Sequence, residues 1–186
     1  QNVIGTQYDD TFSGADNTNN SFDGGASGSD LVDYSYYKSN AITVNLDEGW
    51  ATGQGTDSFK NIDAIRGTDI LAFGDTLIGS STQGNTLYGM AGNDIIKGMG
   101  GNNSLYGGSG NDTIYSGKDD DFIDGGTGVD TVSYEEVTTG RVTVYLGKEN
   151  ISQNSINAGN DTLKNIQNLI GTVFNDTLGA SLTEVN

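Results

Sequence analysis

Between Gly89 and Ser133 a branched aliphatic side chain returns at every ninth position, as Ile96, Leu105, Ile114, Ile123 and Val132. Each is preceded by a polar, glycine-rich hexamer, and the five nonamers GMAGNDIIK, GMGGNNSLY, GGSGNDTIY, SGKDDDFID and GGTGVDTVS follow one another without a gap. A nine-residue apolar period does not match the 3.6-residue period of a helix, and glycine at this density is costly in helix interiors. Each nonamer is therefore predicted to be a turn followed by a strand of three residues. Two nonamers close one coil, so residues eighteen apart stack on the same edge. The eighth-position aliphatics then point inward as two ladders that make a thin core. Ninth positions face outward, stacking Tyr88 with Tyr106 and Lys97 with Tyr115. Upstream the phase frays: SSTQGNTLY at 80–88 is a degenerate copy, and Asp75 with Leu77 fits another after one inserted residue.

A second, longer repeat flanks this array. The run FDGGASGSDLVDYSYY beginning at Phe22 returns as IDGGTGVDTVSYEE at Ile123, AITVNL at Ala41 as RVTVYL at Arg141, and TDSFKNIDAIRGT at Thr56 as NDTLKNIQNLIGT at Asn160. Alternation in Ile42–Leu46 and Val142–Leu146 predicts strands, and segments 61–67 and 165–171 suit further coils. NVIGTQYDDTF at 2–12 also aligns with NLIGTVFNDTL at 168–178, as expected of a stretch taken from a tandem array. The expected organisation is 1–22 as the end of a preceding repeat unit, 23–79 and 134–186 as two copies of an irregular solenoid flank, and 80–133 as the regular array.

Composition narrows the chemistry. Leu, Ile, Val and Phe total 41 of 186 residues, just above the level at which a highly charged chain stays disordered, so apolar burial alone is marginal. The formal charge is −17, and the eight basic residues are scattered. Without a basic patch the chain is not expected to bind nucleic acid, and no apolar run approaches a membrane span, so no direct membrane insertion is expected. So many carboxylates call for a cation. Cysteine and histidine are absent, which removes disulfides, zinc–thiolate sites and the usual nucleophile relays, and no catalytic role is expected. Gly117-Lys118-Asp119 and Gly147-Lys148-Glu149 place acid after lysine, unlike a phosphate loop. The acidic run Asp119–Gly125 lacks the alternating ligands and terminal Glu of an EF-hand.

The nonamers GGSGNDTIY and GGTGVDTVS resemble the repeats-in-toxin (RTX) nonapeptide, glycine-glycine-any-glycine-any-aspartate-any-apolar-any. The resemblance covers residues 80–133. It implies an all-β fold, a right-handed parallel β-roll or β-solenoid with Ca²⁺ ions between its turns. In that family each ion sits between turns one coil apart, held by first- and third-position carbonyls of one turn, second- and fourth-position carbonyls of the next, and both sixth-position aspartates. Carried onto this chain, one site takes Gly89, Ala91 and Asp94 with Gly108, Gly110 and Asp112. A second takes Gly107, Ser109 and Asp112 with Gly126, Gly128 and Asp130, which makes Asp112 a bridge between two ions. The opposite edge pairs Gly98, Gly100 and Asn103 with Gly117, Asp119 and Asp121, where a neutral amide replaces one carboxylate, so one strong and one weak edge are expected. A pairing of Asn85 with Asn103 would have no sixth-position carboxylate.

The resemblance implies a noncatalytic, calcium-dependent structural module of a large secreted or cell-surface bacterial protein such as an adhesin, with neighbouring modules of the same chain as partners. An alternative is a polysaccharide-binding module beside a secreted carbohydrate-active enzyme, with the outward tyrosines meeting sugar rings.

Overall fold

A computed structural model describes residues 1–14, 18–53, 55–146, 152–154 and 157–180. The remaining positions of the flanking segments 1–22, 23–79 and 134–186 lie outside the described residues. Among the described residues all regular structure is β, in short strands that are largely parallel.

Through the nonamer array, successive strands alternate between two sheets. Thr76–Ile78, Ile95–Lys97, Thr113–Tyr115 and Thr131–Ser133 are neighbours in a ten-stranded sheet; Thr86–Ala91, Ser104–Ser109 and Phe122–Thr127 are neighbours in an eight-stranded one. Registers follow the eighteen-residue spacing: Leu87 pairs with Leu105 and Leu105 with Ile123, while Ile96 pairs with Ile114 and Ile114 with Val132. Period-two burial within each strand turns the eighth position inward. Leu77, Ile96, Ile114 and Val132 on one side, and Leu87, Leu105 and Ile123 on the other, have no solvent exposure.

The outward ninth positions also stack. The Tyr88 and Tyr106 rings lie 4.8 Å apart and nearly parallel, and the Lys97 ammonium sits 4.8 Å from the Tyr115 ring centre. Arg66, in register with Tyr88, lies over that ring at one end, and Phe122, a seventh-position side chain, leans on Tyr106 at the other.

Second positions demand a left-handed backbone. Gly108, Gly117 and Gly126 have φ of 111°, 106° and 94°, a region that glycine enters without steric cost. Met90 and Met99 hold the same place at φ 79° and 68° despite their side chains. Coil-to-coil stacking therefore overrides the local preference of these two residues.

The longer repeat is duplicated in contacts as well as in sequence. Asp23 is held by Lys60 and Asn61, and Asp124 by Lys164 and Asn165, at matching distances of 2.7–2.8 Å. The expected strands are Thr43–Asn45 and Thr143–Tyr145, and the further coils provide Ala64–Arg66 and Asn168–Ile170. The parallel expectation needs amendment in the flanks. Trp50–Thr52 runs antiparallel to both Thr43–Asn45 and Thr56–Lys60, and Ser152–Asn154 runs antiparallel to Asn160–Lys164. Gly49, Gly53 and Gly55, all at positive φ, let the chain double back instead of crossing to the other sheet.

Candidate metal centre

The sixth position of each nonamer immediately precedes a strand, and its backbone N–H meets the side chain one coil further on. Asp75 donates to Asp94 Oδ1 at 2.7 Å, Asp94 to Asp112 Oδ1 at 2.8 Å, and Asp112 to Asp130 Oδ1 at 2.9 Å. Gln167 closes this ladder by accepting from Asp130. One oxygen of each carboxylate is thus committed to the backbone N–H of the preceding coil. The second oxygens of Asp94, Asp112 and Asp130 are buried and have no hydrogen-bond partner.

These second oxygens face the first-position glycines. A Cβ added to Gly89 would strike Asp94 Oδ2 and the Gly107 carbonyl oxygen; one added to Gly107 would strike Asp112 Oδ2 and the Gly125 carbonyl oxygen. Beside each first-position Cα, then, a carboxylate oxygen and a carbonyl oxygen of the next coil converge. The coils that the sequence pairs are adjacent: Met90 pairs with Gly108 and Ala91 with Ser109, then Gly108 with Gly126 and Ser109 with Thr127, while Gly110 approaches the Gly92 carbonyl and Gly128 that of Gly110.

The other edge differs as its amide implies. Asn103 donates from its backbone to Asp121 Oδ1 at 2.7 Å and from Nδ2 to the same oxygen at 2.9 Å, while its own Oδ1 accepts from Asn85. Its Nδ2, a donor, occupies the place beside Gly98 where a carboxylate oxygen stands on the first edge. Gly100 packs on the Ser81 carbonyl, Gly117 on that of Met99, and the Asp119 carboxylate accepts from Gly101 N–H at 2.7 Å. Asp121 Oδ2 is again buried and unpartnered, as is Ser116 Oγ, the first-position side chain of the same turn. Ser116 was not singled out in the sequence, because there it reads only as a lapse from glycine.

An unsatisfied buried polar atom costs about 1–3 kcal/mol and more if charged, so four such oxygens in one array need an explanation. Among the described residues no three acidic side chains converge, so any cage here must draw on backbone carbonyls. An all-oxygen, anionic surround of that kind fits a hard divalent cation such as Ca²⁺, and supplies none of the sulfur or imidazole that softer metals select.

The burial has an acid–base consequence. It pushes the Asp94 carboxyl up to about 7, with the Asp75 and Asp112 charges adding, and that of Asp112 to about 6, with the Asp130 charge adding. Asp121 rises to about 8 through burial and the neighbouring Asp161 charge, and Asp75 and Asp130 shift the same way through burial. Unfolded, these groups return to about 3.8. A carboxyl raised in the folded state contributes stability below the unfolded value and loses it as pH rises through the folded one. In metal-stripped buffer the melting temperature is therefore expected to fall between about pH 4 and pH 8, and Asp121→Asn to shrink that fall. A melting temperature that climbs over this range would contradict the assignment.

Carboxylates outside the array are satisfied differently. Asp57 Oδ2 accepts from the Tyr34 hydroxyl at 2.7 Å and Asp161 Oδ2 from the Tyr134 hydroxyl at 2.9 Å. Asp75 Oδ2 accepts both the amide and the hydroxyl of Thr68, while Asp176 accepts the Thr172 amide at Oδ2 and its hydroxyl at Oδ1. Burial, with the Asp57 charge, holds the Tyr34 hydroxyl far above its ordinary value, so it remains a donor.

A family model described as the RTX calcium-binding nonapeptide repeat (4 copies) matches residues 71–105, 80–114 and 97–132. The match reaches back past residue 80 to include the coil of Asp75 and Leu77. No curated protein matches the chain.

Proposed function

Because residues 71–132 belong to the RTX calcium-binding nonapeptide repeat family, we propose that the chain is a noncatalytic module that closes into a right-handed parallel β-roll when calcium fills the spaces between its coils. The single observation that carries this reading is the set of four buried Oδ2 atoms, on Asp94, Asp112, Asp121 and Asp130, that have no partner and occupy the sixth position of their turns. Calcium, when bound, supplies positive charge and an oxygen-seeking coordination sphere.

Asp94 and Asp112, with the carbonyls of Gly89, Ala91, Gly108 and Gly110, would hold one ion. Asp112 and Asp130, with Gly107, Ser109, Gly126 and Gly128, would hold a second. On the other edge Asp121 would be the one sixth-position carboxylate, supported by carbonyls of Gly98, Gly100, Gly117 and Asp119 and by the bare Ser116 hydroxyl. Asn103 contributes a neutral amide there, which leaves that edge weaker. Calorimetric titration with calcium should resolve at least two affinity classes, the weaker abolished by Asp121→Asn. A single uniform class, or no heat at all, would refute the assignment.

Nonapeptide repeats of this kind are structural elements, and among the described residues no helix is long and apolar enough to cross a membrane. The chain is accordingly read as a structural part of a secreted or surface-attached bacterial protein such as an adhesin, with adjoining modules as its neighbours. At −17 it repels itself until cations enter, so calcium-poor cytosol keeps it loose and calcium-rich surroundings fold it. The polysaccharide alternative gains nothing from the outer aromatic stripe. Tyr88 and Tyr106 cover each other's faces, and Arg66 and Phe122 close on the two ends, whereas a sugar ring stacks on an open face.

A further inference from the structure

Two stretches outside the matched region have the nonapeptide form: TGQGTDSFK at 52–60 and INAGNDTLK at 156–164, with Asp57 and Asp161 sixth and Phe59 and Leu163 eighth. The second is stacked as a nonapeptide turn should be. Gly159 lies against Asp119, fourth position on fourth; Asn160 N–H donates to Asp120 Oδ1, fifth on fifth; and Asp121 N–H donates to Asp161 Oδ1 at 3.0 Å, sixth on sixth. By sequence and by stacking, Asp161 extends the ladder that carries Asp121.

Its second oxygen is nevertheless occupied. Where Asp94, Asp112, Asp121 and Asp130 present a bare Oδ2, Asp161 Oδ2 accepts the Tyr134 hydroxyl, and Tyr134 is fully buried. The first flank repeats this with Tyr34 and Asp57, twenty-three residues apart in the chain. The tyrosines correspond in the two copies of the long repeat, as do the aspartates. Thr68 makes the equivalent bonds to Asp75 at the upstream end of the other edge.

Resting on the calcium reading above, we propose that Tyr34, Tyr134 and Thr68 are hydroxyl plugs that stand in for the cation at Asp57, Asp161 and Asp75, so that these ladder aspartates take no calcium and the metal-filled array ends at them. A hydroxyl donates one hydrogen bond to the oxygen a cation would claim, and a carboxylate so bonded needs no metal to be buried. The flanking coils thereby retain ladder geometry without contributing to the calcium requirement, and a sequence with the form of a calcium turn is converted into a structural one.

The experiment is calcium counting by equilibrium dialysis, joined to thermal melting. Asp161→Asn and Asp57→Asn, which keep the ladder bond, should bind as many calcium ions per chain as the wild type, whereas Asp121→Asn should bind fewer. Tyr134→Phe and Tyr34→Phe should lower the melting temperature in saturating calcium as well as in metal-stripped buffer, because the lost bond is not one that calcium replaces. A reduced count in Asp161→Asn, or a Tyr134→Phe protein that melts like wild type in saturating calcium, would overturn the plug. If Asp121→Asn keeps the full count, or the wild type binds none, the underlying calcium reading fails and takes the plug with it. The two failures are distinct. The Tyr34 and Asp57 variants repeat the test if the Tyr134 variant does not fold.

Discussion

Stripping calcium from the protein is expected to lower its melting temperature steeply, so that most of its far-ultraviolet strand signal is lost at physiological temperature and kept only in the cold, and adding calcium back in excess to restore both. Four buried carboxylate oxygens without partners, at about 1–3 kcal/mol each and more when charged, make up a penalty comparable with the whole net stability of about 5–15 kcal/mol typical of a domain. The apolar interior is too thin to offset this. Each inward ladder in the array has a single aliphatic side chain per turn, and the glycines that line the turns lose more backbone freedom on folding than any other residue. Ligand binding to the folded state alone adds about 2.7 kcal/mol for each independent site at a hundredfold excess over Kd, so several sites together reverse the balance. Circular dichroism in chelator against saturating calcium measures this directly. Full strand content in chelator, with a melting temperature indifferent to calcium, would mean that the bare oxygens are tolerated and that the folding account is wrong.

The regular array was legible in the sequence because its period fixes everything that repeats with it. Once Ile96, Ile114 and Val132 are placed inward, the stacking of Tyr88 on Tyr106, of Lys97 on Tyr115 and of Asp94 on Asp112 follows from counting eighteen. The different bonding of the Asn103 edge was equally legible, since an amide can offer a ladder only one oxygen. What escaped were interactions whose partners are not spaced by the period. The Tyr34–Asp57 and Tyr134–Asp161 bonds span intervals set by the flanking excursions, and nothing in Asp-Tyr-Ser or Ser-Tyr-Glu marks a buried hydroxyl donor. The antiparallel reversal through Trp50–Thr52 was hidden for a related reason: Gly49, Gly53 and Gly55 read as more of the same glycine-rich turn, although here they return the chain along its own sheet.

Replacing Asp112 is expected to be the most damaging single change in calcium, and Asp112→Asn to have opposite effects with and without the metal. Asp112 is flanked by Asp94 and Asp130 on one edge, so under the proposed scheme its carboxylate would serve two cation positions where Asp94 and Asp130 would each serve one. Asp112→Ala also removes Oδ1, leaving the Asp94 N–H without its acceptor at a cost of about 1–3 kcal/mol even before any ion is lost. Asp112→Asn isolates the charge. Asn103 already demonstrates that this position accepts an amide, with Oδ1 keeping the ladder bond and Nδ2 donating to a carbonyl of its own turn at 2.8 Å. In metal-stripped buffer near neutral pH the amide relieves a buried, unpartnered carboxylate, and the Asp112→Asn protein should melt higher than wild type. In saturating calcium it weakens two sites at once and should melt lower. The two melting curves should therefore exchange order as calcium is raised, which a purely structural role for Asp112 would not produce, since a residue valued only for its ladder bond would be left nearly unchanged by an amide at every calcium concentration.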